Sequence, residues 1–295
     1  MKRIAGVVFA SLVAAGAAQA EFVRPITSPT LVDSPDTGFT IHPIVIHQAL
    51  PDQVNTELGN LPVGGDFQVY AVQLEYAFNQ DLSLIAVKDG YIDFNPDDTF
   101  AEESGWADLA AGLKYVFHRS EDTVASFKLV AELPTGDDEA WQGNGDGAID
   151  PAVAAVTKIG KLQLQGTIGY IQAINDERSS ELYDSWHASY EIADGLFPVI
   201  ELNHVHVTDA GDGGARLDAH VDGGVPSVAR FEGGDLVNLG ASNSDDNADF
   251  ISVAVGLRYN TCSAATVGIA YEVPLTGDED SLMDHRITAD VIIKL

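Results

Sequence analysis

The chain has 295 residues, with 45 Asp or Glu against 15 Lys or Arg and a formal net charge of −30. That charge argues against a nucleic-acid partner, whose phosphates it would repel, and a single cysteine, Cys262, excludes an intrachain disulfide. Beyond the first twenty residues no stretch approaches the ~20 continuous apolar residues of a membrane helix, so any membrane signal must be an alternating one.

The chain opens with Lys2 and Arg3, an apolar run from Ile4 to Ala15, and Ala18-Gln19-Ala20 before Glu21. This is the pattern of a secretory signal peptide with its cleavage site, so residues 1–20 stand outside the fold. Their removal takes two cations with it and leaves a net charge of about −32. Residues 21–37 follow, with three prolines and no strand pattern, and they and the 42-residue stretch 207–248, rich in Gly and Asp, are the two candidate plugs.

From residue 38 to the end the chain repeats stretches of roughly ten residues that alternate apolar with small or polar side chains. Twelve strands are expected, at 38–48, 66–78, 81–89, 106–117, 123–134, 151–159, 162–172, 184–192, 196–206, 249–259, 263–273 and 285–295. The connections between them alternate long and short throughout, from 49–65 and 79–80 to 260–262 and 274–284. An up-and-down barrel with short turns at one end and long loops at the other requires that rhythm. A soluble sandwich has no cause for it, because both its ends meet the same solvent. The fold class is therefore an all-β, antiparallel transmembrane barrel over 38–295. Pro43 weakens the first strand, since proline donates nothing to a ladder, and 235–240 is the alternative stave.

Within the strands one face is apolar: Tyr70, Val72, Leu74, Tyr76 and Phe78 in one, Leu109, Leu113, Tyr115 and Phe117 in another, Ile251, Val253, Val255, Leu257 and Tyr259 in a third. Each run ends in an aromatic beside a short turn, where a ring apolar on one side and wet on the other suits the membrane boundary. The opposite face is polar and supplies the lumen, with Glu75, Asp108, Lys114, Lys128, Glu132, Glu201, Arg258 and Glu272 as its charged lining and candidate selectivity residues. Charges of both signs there mean either cross-strand pairs or the walls of a wet path. The six long connections carry 27 Asp or Glu against three Lys or Arg. They should favour the approach of cations and neutral solutes.

Three constellations were weighed for chemistry. His204 and His206 share a strand face but need a third metal ligand, and the neighbouring sequence offers none, so a polar rim cluster is preferred. His187 and Ser189, with Glu201 opposite on the next strand, have the order of a Ser-His-acid hydrolase similar to outer-membrane lipid deacylases; Ser/His/Glu on a polar lumen face is also commonplace. The segment Gly143–Asp150 alternates oxygen ligands, yet lacks the EF-hand spacing. No enzyme, cofactor or metal is expected, and an outer-membrane esterase or a closed barrel acting through its loops are the alternatives to a channel.

Ala107-Asp108-Leu109-Ala110-Ala111-Gly112-Leu113-Lys114-Tyr115, Leu133-Pro134-Thr135-Gly136-Asp137, Gly143-Asn144-Gly145, Asp150-Pro151 and Gly166-Thr167-Ile168-Gly169-Tyr170 carry a family likeness. Over about residues 106–172 the order of these motifs resembles the outer-membrane family named for the MetA pathway of phenol degradation. Tyr271-Glu272-Val273-Pro274-Leu275-Thr276 is similar to its penultimate hairpin. The resemblance implies a Gram-negative outer-membrane barrel that passes a small, often hydrophobic, molecule. Its partners would be outer-membrane lipid, that solute and the barrel assembly machinery. The chain departs from such barrels at its end, Leu295 standing where Phe or Trp is usual.

Overall fold

In a computed structural model the chain is described for residues 22–56, 59–137, 140–143, 145–176, 178–210, 248–277 and 282–295. Its organising element is β1 (Phe39–Ala49), which pairs on one side with β16 (His285–Lys294) and on the other with β4 (Asp66–Ala77). The β1–β4 register runs unbroken from Phe39↔Tyr76 to Ala49↔Asp66. That pairing turns an open sheet into a closed one. Pro43 is accommodated opposite Val72, and the ladder to β16 skips from Ile41↔Ile293 to Ile44↔Asp290 at the position where proline has no N–H to give. The stave expected at 38–48 is thus in the barrel, and the alternative at 235–240 lies outside the described residues.

Twelve antiparallel staves close the wall. The third is in two pieces, β5 (Leu82–Lys88) pairing with the second half of β4 and β6 (Tyr91–Asn95) with its first half. The fourth is split likewise into β7 (Glu103–Trp106) and β8 (Leu109–Arg119). Gly90 sits at the first break with φ 124°, and a Cβ there would lie 2.7 Å from the Tyr70 carbonyl oxygen. The amide of Val72, which loses its ladder partner at this break, donates instead to Asp89 Oδ1 at 2.9 Å. The wall continues through β9 (Thr123–Leu133), β10 (Ala148–Ile159), β11 (Leu162–Ala173), β12 (Ser180–Tyr190), β13 (Leu196–Asp209), β14 (Asp249–Cys262) and β15 (Ala265–Pro274). Three expected starts move: the fourth stave begins at Glu103 rather than 106, β10 begins at Ala148 rather than 151, which makes Asp150 a stave residue, and β12 begins at Ser180 rather than 184.

Alternation sorts the side chains. Tyr70, Val72, Leu74, Leu109, Leu113, Val255 and Leu257 lie exposed on the outer face, with Tyr76, Phe78, Tyr115, Phe117, Tyr190 and Tyr259 forming a girdle beside the short turns. Water would not tolerate so continuous an apolar band, whereas a bilayer requires it. Tyr76 stacks edge-on against Phe39 at 5.4 Å and Phe78 at 5.3 Å, tying that girdle across the closure.

Side chains of the described residues pack much of the interior. At the long-loop end, Ile44, Ile46, Phe67, Val69, Ile92 and Phe94 point inward and are covered by Leu50, Val54, Val63, Phe100 and Trp141. Some of these belong to the loop between β1 and β4, where β2 (Gln53–Thr56) and β3 (Gly59–Pro62) pair as a separate hairpin. Trp141 lies 4.5 Å from Phe94 and 4.9 Å from Phe100, so the mouth on this side is capped by an aromatic core. Further round, the buried Tyr183 ring lies across Gly169, where a Cβ would meet the ring at 2.3 Å, and its hydroxyl donates to Asp150 at 2.8 Å. Gly169→Ala should lower stability by about 1–3 kcal/mol through overpacking, read as the urea midpoint of the refolded protein. The penalty should largely vanish in a Tyr183→Ala background; a cost that stays the same there would mean the ring contact is not its source.

Candidate functional site in the lumen

Pro25, Pro29 and Pro35 keep residues 22–37 from joining a sheet, since each removes an amide donor. The segment must then satisfy its carbonyls with side chains. The inward faces of the staves supply them. Gln163 clasps Val23, accepting from its N–H at 2.8 Å and donating to its carbonyl at 2.6 Å. Arg258 donates to the carbonyls of Arg24 at 2.7 Å and Pro25 at 2.6 Å. Gln73 donates to Pro29 O at 2.6 Å, Lys128 to Leu31 O at 2.7 Å, Gln165 to Asp33 O at 2.9 Å and Lys114 to Ser34 O at 2.8 Å. A segment in contact with β4, β8, β9, β11 and β14 at once lies inside the barrel.

Its path is a U. Asp36 pairs with Arg119 at 2.6 Å and Thr37 donates to Gln80 O at 2.8 Å, both next to short turns. Leu31, near the bend, packs against Ala148, Ala152 and Tyr183 towards the long-loop end. The chain then returns past Glu201, which accepts the amides of Ile26 and Thr27 at 2.8 Å each. At the bottom the Phe22 ring lies under Lys158, 4.9 Å from its ammonium. A cavity of about 360 Å³ separates the two ends of the U, between Phe22, Gly38, Phe197 and Leu295.

Ion pairing holds the segment as firmly as its backbone contacts do. Arg24, Glu75, Lys114 and Asp33 form a ring of alternating charge: Arg24–Glu75 2.8 Å, Glu75–Lys114 2.9 Å, Lys114–Asp33 2.6 Å and Asp33–Arg24 3.3 Å. Burial works to raise the Asp33 carboxyl, and Lys114 and Arg24 overcome it and hold it at about 2. Lower down Arg258 makes a two-pronged pair with Asp290, whose other neighbour is His42 Nε2 at 2.8 Å. Gly268 leaves the room for it, since a Cβ there would meet both partners at 2.5 Å.

Of the eight charged residues expected in the lumen, seven lie on the buried faces of their staves and do different things there. Glu75, Lys114, Lys128, Glu201 and Arg258 contact residues 22–37 or pair with residues that do. Glu132 is held between Lys88 at 2.9 Å and Arg178 at 2.7 Å. Glu272 accepts from Ser252 and Asn203, and Arg286 lies 3.5 Å away. Asp108 is placed otherwise: it lies in the break between β7 and β8, where its Oδ1 accepts the amides of Gly136 at 2.9 Å and Gly143 at 3.0 Å. The Leu133–Asp137 motif and the glycine-rich loop are thereby tied to the strand motif that begins at Ala107. Asp150, a stave residue of β10, pairs with Lys128 at 2.9 Å.

His187 Nδ1 does meet Glu201 Oε1 at 2.8 Å, in the expected register. Ser189 Oγ has no hydrogen-bond partner among the described residues, and neither has His187 Nε2. The nucleophile-to-base link of a hydrolase is therefore not made, and the acid is shared with Ile26 and Thr27. Sequence reasoning missed Arg24, Asp33 and His42 as members of the lumen network, whereas the alternation of the last strand puts Asp290 on its polar, inward face.

Residues 59–201 match the family model described as putative MetA-pathway of phenol degradation. The match to the MetA-pathway family covers the motif order read from the sequence and begins within the loop before β4. The fold is shared with the crystal structure of an outer membrane channel from Pseudomonas putida F1, at 14% identity and TM-score 0.59, over 88% of this chain and 96% of that one. It is also shared with the NanC porin, at 9% identity and TM-score 0.53, over 86% and 100%. No curated protein matches the chain. A closed wall with an apolar outer band is an outer-membrane barrel, and both neighbours share that architecture.

Because the Asp33 carboxyl is held below its ordinary 3.8 in the docked state, its contribution to docking is complete above about pH 4 and is lost as the pH falls towards 2. Pepsin, which works across that window, should cut within residues 22–37 at about pH 2 and spare them at about pH 4.5. Cleavage sites mapped by mass spectrometry would read this; equal cleavage at both values would rule it out.

Proposed function

We propose that the protein is an outer-membrane channel for a small molecule, with residues 22–37 as a plug that occupies the lumen. The observation that carries this reading is the U-shaped segment, which uses up the charges of the lumen wall. An empty wet pore would leave those charges to water. The barrel neighbours, described as a channel and a porin, and the match to the MetA-pathway family support a transport role over a closed structural one. A small, weakly polar solute suits the aromatic core at the long-loop mouth, where Phe94, Phe100 and Trp141 meet. Passage is passive in this reading and proceeds when the segment shifts. The lining residues Glu75, Lys114, Lys128, Glu201 and Arg258 then act as latches for the plug first and as selectivity groups once it moves.

Single-channel recording in planar bilayers tests the reading on the mature chain and on a variant lacking residues 22–37. The mature chain should conduct weakly or in rare openings, and the deletion should conduct steadily, with a salt-gradient reversal potential on the cation side. Conductance identical in the two would dispose of the plug, and silence in both would dispose of the channel. Clear anion selectivity would overturn the role given to the acidic loops, which is screened over about 8–10 Å at physiological and lower salt.

A further inference from the structure

His204 and His206 lie on the outer face of β13, beyond Ile200 and Leu202 at the long-loop end of the lipid-facing row. The sequence offers them no third ligand nearby. Folding supplies one from 43 positions beyond His206: Asp249 opens β14 directly opposite it, and its Oδ1 lies 2.8 Å from both His204 Nε2 and His206 Nδ1. Donor atoms of the three side chains all fall within 4.8 Å of one another. On the other side, Asp184 of β12 sits opposite His204 and its Oδ2 is 2.9 Å from His204 Nδ1.

We propose that His204 Nε2, His206 Nδ1 and Asp249 Oδ1 form a binding site for Zn²⁺ at the outer rim of the barrel, with Asp184 as the positioning residue behind His204. The geometry favours a tetrahedral ion. Bonds of about 2.0–2.1 Å place tetrahedral donors ~3.3 Å apart, so the 2.8 Å contacts here open by about half an ångström to admit it. The donor chemistry favours the same class, because two imidazoles and one carboxylate suit zinc and its neighbours, while calcium and magnesium take oxygen cages. Asp184 does what the outer carboxylate of a carboxylate–histidine–zinc unit does: it fixes the ring so that Nε2 faces the metal. Three protein ligands leave the fourth position to water. The ion would bind β13 to β14 where the chain leaves the wall at 209 and re-enters it at 249. It would thus fasten the root of the longest connection.

Zn²⁺ alone, titrated calorimetrically into the folded mature protein against a chelator of known affinity, is the test. One site should be found, and Asp184→Asn should weaken it about 10–100-fold without changing the stoichiometry. His206→Ala and Asp249→Asn should abolish it, while His285→Ala, which alters another rim histidine whose partner is Asp284 at 2.7 Å, should leave it intact. All four side chains lie outside the lumen and the girdle, and heat-modifiable mobility on gels reports that each variant still folds. In the Co²⁺-loaded protein the intense visible bands of a tetrahedral ion should appear and be lost in His206→Ala. Equal Zn²⁺ affinity in the mature protein and His206→Ala would overturn the site, as would displacement of Zn²⁺ by equimolar Ca²⁺, which would place binding in the acidic loops.

Discussion

The pairing of β1 with β4 is the constraint on which the rest of the structure depends. In hydrocarbon an unpaired amide or carbonyl costs several kcal/mol, so the wall has either two satisfied edges or none that can exist. Eleven consecutive register pairs close it, from Phe39↔Tyr76 to Ala49↔Asp66. Closure also explains how an awkward residue survives. Pro43 would break an open central strand, yet here the ladder to β4 stays in register opposite it and the skipped bonds fall on the β16 side alone. The splits in the third and fourth staves are handled in kind, with Asp89 standing in for a lost ladder partner.

A closed wall creates an interior, and the sequence fills that interior with charge of both signs. Burying isolated ions would be prohibitive, and even paired ones repay their desolvation only when every donor and acceptor is met. For its charged groups the lumen approaches that condition by adding a stretch of irregular backbone, while Ser189 Oγ and His187 Nε2 stay without a partner among the described residues. Lys114 and Lys128 each have a carboxylate and a carbonyl of residues 22–37 as partners, and Arg258 has Asp290 and two carbonyls. Segment and wall are therefore complementary in a strict sense. Without the segment the cations would lack carbonyl acceptors, and without the cations and the glutamines of the wall its proline-broken backbone would lack donors.

The wall was legible in the sequence because lipid on one side and polar lumen on the other impose a period of two that nothing else in the chain imitates. Ile292, the one apolar residue on the inward face of the last strand, is buried and lines the lower cavity. Strand starts at 148 and 180 were less legible, because Asp150-Pro151 reads as a turn and the Ser180–Tyr183 stretch lacks apolar alternation. Inward orientation of Glu75, Lys114 and Arg258 followed from the same period, but their partners did not. Period assigns a face and says nothing about a neighbour 51 or 234 positions away, as Glu75 and Arg258 are from Arg24. Asp249 escaped for the same reason: its place beside His206 depends on where a 42-residue connection ends, which only the register of β13 against β14 decides.

The form of the inserted segment bears on how it could move. A straight plug threaded from end to end would have to leave through one mouth while clearing the aromatic cap at the other. A U whose two ends both lie beside short turns has no such difficulty. On the proposed plug reading it would withdraw towards the end it came from, with residue 38 as the hinge. The contacts it gives up are mostly side chain to carbonyl, and water entering behind it can replace those one at a time. The costly step is separating Arg24 and Asp33 from Glu75 and Lys114, and even then the last two remain paired with each other at 2.9 Å. On the proposed plug reading that pair would stay with the wall and spare it two unpaired buried charges when the segment leaves.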